Sequence, residues 1–119
     1  MTFRHAATLD ELDPGSAIAV DLGADVETAI VRTIDDQLFA IWNECSHGMV
    51  ALSEGEVEGC TLECWAHGSR FDLRTGQPIE LPATQPVPIY PVRLDGTDIY
   101  VDIDNPITVG IDDPIYQEN

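Results

Sequence analysis

Apolar residues in this chain fall in short stretches of about four to eight positions, separated by turn formers, with no sustained helical period. That pattern predicts an all-β domain. Residues 16–22 (SAIAVDL) read as a strand, and residues 26–34 (VETAIVRTI) and 37–43 (QLFAIWN) as a hairpin turned at Asp35-Asp36. Residues 56–63 (EVEGCTLE) read as one further strand with a bulge at Gly59. Residues 70–73 and 77–79 flank a short turn, Arg74-Thr75-Gly76. Residues 81–91 carry four of the eight prolines and must be an extended connection or an edge, because proline offers no N–H to a central ladder. Residues 92–94 and 97–102 form the clearest hairpin, turned at Asp95-Gly96. The one helical expectation is a single turn over residues 8–12, where Thr8 and Glu11 make a capping-box pattern.

Length and charge narrow the class. The 119 residues suit one domain, and 44% hydrophobic content supplies a packed interior. Acidic side chains number 22 against 5 arginines and no lysine, a formal charge of −17. A polyanion is repelled by such a surface, so nucleic acid is excluded as a partner and an anionic membrane face is disfavoured. No apolar run approaches the roughly 20 residues of a membrane span. MTFRHAATLD at the start lacks the hydrophobic stretch of a secretion signal, so the expectation is a cytoplasmic protein, working as a monomer. The segment from residue 104 onward holds Asp112, Asp113 and Glu118 and no basic residue. The expected organisation is therefore a domain over residues 1–103 and an acidic tail over 104–119. The acidic excess has dull explanations beside partner steering: solubility, genome composition or a salty cytoplasm.

Three cysteines, an odd count without an export signal, argue for metal binding or free thiols over a disulfide framework. Cys45-Ser46-His47 is C-x-H and Cys64-Trp65-Ala66-His67 is C-x-x-H, each followed by glycine in a loop after a predicted strand, over residues 44–50 and 64–69. Two thiolates and two imidazoles fit either a tetrahedral Zn²⁺ ion or a [2Fe–2S] cluster with two cysteines on one iron and two histidines on the other. Spacing favours the cluster. A one-residue gap is awkward around one metal ion but natural when each loop gives one ligand to each of two irons. Cys45 and Cys64 then hold the inner iron, His47 and His67 the outer. Cys60 alternates with Leu62 and is expected to be a small buried hydrophobe, and His5 an ordinary surface residue. Trp42 reads as core; Trp65 either covers the cluster loop or docks a partner.

The pattern C-x-H-x₁₆-C-x-x-H resembles that of Rieske-type [2Fe–2S] proteins, and the resemblance continues through His67-Gly68-Ser69, Phe71-Asp72 and Thr75-Gly76, over roughly residues 3–102. It implies a small domain of stacked antiparallel sheets with the cluster loops at one tip. Members that work in respiratory and photosynthetic complexes carry an extra cysteine in each loop, linked as a disulfide; here Val50 and Ala66 stand there. A large oxygenase subunit would need a second, mononuclear iron site, and only His5 remains once His47 and His67 are used. What the resemblance implies is the ferredoxin component of a ring-hydroxylating dioxygenase system, not itself a catalyst. It would carry electrons from a flavin-dependent NAD(P)H reductase to a terminal non-haem iron oxygenase. A carrier in another pathway, such as iron–sulfur cluster assembly, has the same sequence features, and a redox sensor or a structural zinc module are further alternatives.

Histidine ligation has an electrostatic consequence. Oxidised iron, sulfide and two thiolates sum to zero charge, so one added electron creates a single negative charge. Rieske potentials accordingly span about −150 to +300 mV against about −400 mV for four-cysteine plant-type clusters. Within that range the resemblance makes Ser69 a hydrogen-bond donor to the cluster. Relatives of higher potential place a tyrosine two positions later, where this chain has Phe71. The expected potential lies in the lower part of the range. The outer histidines would sit at an exposed apex ringed by Gly48, Met49, Trp65, Ala66 and Gly68.

Overall fold

The computed structural model describes residues 3–24, 26–44, 50–65, 69–79 and 87–107. Its strands are β1 (Arg4–Thr8), β2 (Ser16–Val20), β3 (Thr28–Arg32), β4 (Leu38–Trp42), β5 (Val57–Glu58), β6 (Thr61–Glu63), β7 (Arg70–Asp72), β8 (Ile89–Tyr90), β9 (Val92–Asp95) and β10 (Asp98–Val101). They form three antiparallel sheets, ordered β1-β10-β9, β2-β3-β4-β8 and β5-β6-β7. The only helical pieces among the described residues are 3₁₀ turns at Leu9–Glu11 and Leu52–Glu54. None of them is long or apolar enough to cross a membrane.

The four-stranded sheet lies between two cores, which explains its composition. Ala29 and Val31 of β3 and Ile41 of β4 join Leu52, Leu62, Cys64, Phe71 and Leu73 in one buried cluster. Ile30 and Ala40, one residue out of step, join Ala7, Leu12, Tyr90, Ile99 and Val101 in the other. A strand covered on both faces needs apolar residues at consecutive positions, and TAIVR supplies them.

Most predicted elements appear where expected. The hairpin of β3 and β4 pairs Arg32 with Leu38, and Asp36 takes the left-handed backbone its turn requires, with φ 66°. In the hairpin of β9 and β10, Asp98 pairs with Asp95, so the turn falls on Gly96-Thr97, one residue later than predicted. Glu11 accepts hydrogen bonds from the backbone N–H (2.9 Å) and the hydroxyl of Thr8, at the predicted helical turn.

Two expectations are corrected, and one strand appears that none of them covered. Residues 56–63 are a tight hairpin rather than one bulged strand: Glu58 pairs with Thr61, and Gly59 turns with φ 58°. Cys60 therefore sits in a turn, half-buried, with its thiol 3.9 Å from the Gln37 carbonyl oxygen, and is not a core residue. Residues 4–8, which carry no clear apolar alternation, nonetheless form an edge strand on β10. His5 is exposed, 3.0 Å from Asp98. Residues 81–86 of the proline-rich segment and residues 108–119 of the acidic tail lie outside the described residues. The beginning of the tail is in contact with the body, through an Arg4–Asp104 ion pair of 3.6 Å and a bridge of Ile107 to Ile89.

Candidate metal centre

Both motif-bearing segments start from strands that the cores hold in place. The first leaves β4. Trp42 donates its N–H to the Pro88 carbonyl (2.9 Å) and Asn43 donates to Glu27 (3.1 Å), so the strand is anchored on both sides as it ends. The chain returns at Val50, which packs on the core, and Leu52, which is fully buried in it. The second segment connects β6 to β7. Glu63 pairs with Arg70, and beyond them Cys64 donates its N–H to the Ser69 carbonyl at 2.6 Å. Cys64 and Ser69, on either side of this connection, are both fully buried.

A close backbone approach brings the two segments together. Glu63 donates its N–H to the Glu56 carbonyl at 2.9 Å, and Gly55 lies so near the Glu63 carbonyl that a Cβ there would overlap it. Only glycine fits. The chain coming out of the first segment thus passes against the residue immediately before Cys64. Arg70 reinforces the hairpin, lying 3.1 Å from Glu58 and 3.5 Å from Glu63.

Of the sequence-predicted ligands, Cys64 is placed as a buried thiol outside any disulfide, and Ser69 is buried at the other foot of its loop. Cys45, His47 and His67 lie outside the described residues, as do Gly48, Met49, Ala66 and Gly68. Trp65 is 59% exposed, so its ring does not serve as a buried cover for the loop. Phe71 is fully buried. The chemistry of the one described donor suits a [2Fe–2S] group: Cys64 is a soft, buried sulfur, and the backbone at Gly55 lies against the residue before it. Over residues 50–79 five carboxylates stand against two arginines, so the surroundings are acidic.

Two residues outside the cysteine and histidine motifs make contacts beside these segments. Gly55 carries a signal, a glycine between two glutamates just ahead of a predicted strand, but only the backbone contact gives it meaning. Asn43 is buried, and its carbonyl oxygen accepts the Ser53 N–H at 2.7 Å. An asparagine at the end of an apolar strand was the available clue.

Residues 3–91 match the Rieske [2Fe-2S] domain family. This chain belongs to that family. It is 37% identical over 103 residues to the biphenyl dioxygenase ferredoxin subunit of Pseudomonas sp. (strain KKS102), with 86% of this chain and 93% of that protein covered. Among solved structures it is similar to the ferredoxin of carbazole 1,9a-dioxygenase from Nocardioides aromaticivorans IC177, at 42% identity and a TM-score of 0.78, covering 85% of this chain and 97% of that one. A chain from the complex of reduced oxygenase and oxidized ferredoxin in carbazole 1,9a-dioxygenase aligns at 29% identity and a TM-score of 0.76, covering 83% and 91%. As a Rieske protein of this ferredoxin type, the chain carries a [2Fe–2S] cluster and transfers electrons; it is not the oxygenating enzyme.

Proposed function

We propose that this Rieske ferredoxin takes electrons from a flavin-dependent NAD(P)H reductase and delivers them to a terminal non-haem iron oxygenase, in the cytoplasm. The observation that carries the reading is similarity to ferredoxin subunits of dioxygenases over most of this chain and more than nine-tenths of theirs. The domain spans residues 1–103, with 104–119 as an acidic appendage. When bound, the cluster takes up and gives back one electron. Cys45 and Cys64 hold its inner iron and His47 and His67 its outer iron. Burial of Cys64 supports this order, because the thiolate end is then the end away from water.

Ser69 acts as a hydrogen-bond donor that tunes the potential, and buried Phe71 contributes no hydroxyl beside it. One fewer donor and an acidic setting both penalise the added electron, which places the potential in the lower part of the Rieske range. Trp65, exposed beside Cys64, gives the tip an apolar contact for a partner, and carboxylates around it steer the molecule to basic surfaces.

The test is kinetic. The purified protein, reduced by a candidate reductase and NAD(P)H, is mixed rapidly with a candidate oxygenase, and its visible spectrum is followed. Reoxidation should be fast, slow as salt rises, and slow again in Trp65→Ala. Reoxidation no faster than by buffer alone, across the aromatic-ring oxygenases tried, would rule against the oxygenase as acceptor.

A further inference from the structure

We propose that Asn43 is the positioning residue for the first cluster-bearing segment, its carboxamide fixing the span over which Cys45 and His47 are presented. The inference rests on the ligand assignment above. Residues 44–52 leave β4 at Asn43 and return to the core at Leu52, and Asn43 joins the two ends. Its side-chain oxygen accepts the Ser53 N–H at 2.7 Å across ten residues of sequence. Its own N–H donates to Glu27 at 3.1 Å, so the carboxamide is held from the neighbouring backbone. The side chain is buried, so water does not compete for the bond.

The partner group explains the need for it. Ser53 is the second residue of the 3₁₀ turn Leu52–Glu54, and the first N–H groups of a helical turn have no partner within it. A side chain at the preceding residue normally supplies the acceptor, but that residue is Ala51, which has none. Asn43 fills the role from a distance, and in doing so it fixes the distance between the ends of the segment. The same turn leads directly to Gly55, whose backbone lies against Glu63, the residue before Cys64. A continuous physical path therefore runs from the end of β4 through Asn43, Ser53 and Gly55 to the foot of the second loop.

Thr33 provides a matched control. It is also fully buried, and its hydroxyl oxygen accepts the Gln37 N–H at 2.9 Å across the turn at the other end of β3 and β4. Residues 33–37 hold no cysteine or histidine. The bond is of the same kind, at a place without ligands.

The experiment compares holoprotein of the parent, Asn43→Ala, Asn43→Asp and Thr33→Ala. Release of iron and acid-labile sulfide into EDTA and the g-values of the dithionite-reduced protein are the readouts, with thermal stability measured alongside. Asn43→Ala should release iron about tenfold faster than the parent, the scale expected when a buried donor loses its acceptor, with shifted g-values. Asn43→Asp, which keeps the oxygen, should stay close to the parent in iron release. Thr33→Ala should lose comparable thermal stability yet release iron at the parent rate with unchanged g-values. If Asn43→Ala and Thr33→Ala behave alike in release and g-values, the inference is overturned. Should Asn43→Ala fail to accumulate, hydrogen exchange over residues 50–56 of the parent decides: protection like that of β4 supports the tie, and exchange like that of an open loop overturns it. A parent chain that holds no iron or sulfide under anaerobic purification would instead sink the ligand assignment itself.

Discussion

The middle sheet and the β5–β7 hairpin unit are held together by different physics. In β3 consecutive side chains alternate between two apolar cores, so four of its five residues are buried, and β4 adds Ala40 and Ile41, one to each core. The strands β5, β6 and β7 are two or three residues long, and Leu62 and Phe71 are their only fully buried members. What fixes that unit is the anchoring of Leu62 and Phe71 in the neighbouring core, backbone contact at Gly55, the Cys64–Ser69 hydrogen bond and the ion pairs of Arg70. The difference matters for the ligands proposed at Cys64 and His67. A unit with little apolar area of its own draws stability from the metal it binds, because binding to the folded state alone counts towards folding. The body needs no such help, and it gives the unit a fixed base.

Removing side chains from each region separates the two. Ile30→Ala, at a fully buried position in the core away from the cluster loops, should cost about 2–5 kcal/mol in denaturant melts. The iron content of the folded fraction should remain that of the parent. If iron is lost in proportion, the two regions are one cooperative unit and the contrast fails. Gly55→Ala should cost less, about 1–3 kcal/mol, because the backbone at Glu63 must shift to admit the Cβ. Its mark is a specific one: the visible spectrum disappears at temperatures where far-ultraviolet circular dichroism still reports the body folded. Full cluster occupancy in that variant would remove the close approach from the account.

Arg70→Gln should have a smaller effect. Its two carboxylate partners are partly exposed, and such pairs contribute about 1 kcal/mol or less, diminishing as salt rises. The expected result is a modest drop in melting temperature that nearly vanishes in concentrated salt; a drop independent of salt would mean that Arg70 acts through packing. The smallest effect lies in the body. Burial raises the pKa of Tyr90, so the unfolded chain ionises first as pH climbs. The folded state then binds more protons than the unfolded, and stability falls as pH rises through the ordinary tyrosine value of about 10. Tyr90→Phe should flatten that alkaline limb of a melting-temperature profile, and an identical limb would assign it to other groups.

Much of the body is legible in the sequence because short apolar runs and the turn residues that bound them agree there. Strands β2, β3, β4, β9 and β10 all follow from them. β1 does not, since RHAAT buries only Ala7 and owes its place to pairing with β10. The hairpin of β5 and β6 was taken for one bulged strand because each arm is too short to show a period, and Cys60 was misplaced with it. At the site the spacing of the cysteine and histidine pairs carries the family membership in the sequence alone. Gly55 and Asn43 are not legible there, because each acts on a backbone group far along the chain, and distance in sequence hides such contacts.

The central claim is that a [2Fe–2S] cluster with mixed sulfur and nitrogen ligation moves electrons through this protein. Electron paramagnetic resonance of the anaerobically purified, dithionite-reduced chain, with iron and labile sulfide counted on the same sample, tests it most directly. The account predicts two irons and two sulfides per chain and a rhombic signal with the low average g-value of histidine-ligated clusters. A colourless protein with one zinc, or a signal of the four-cysteine kind, would contradict it.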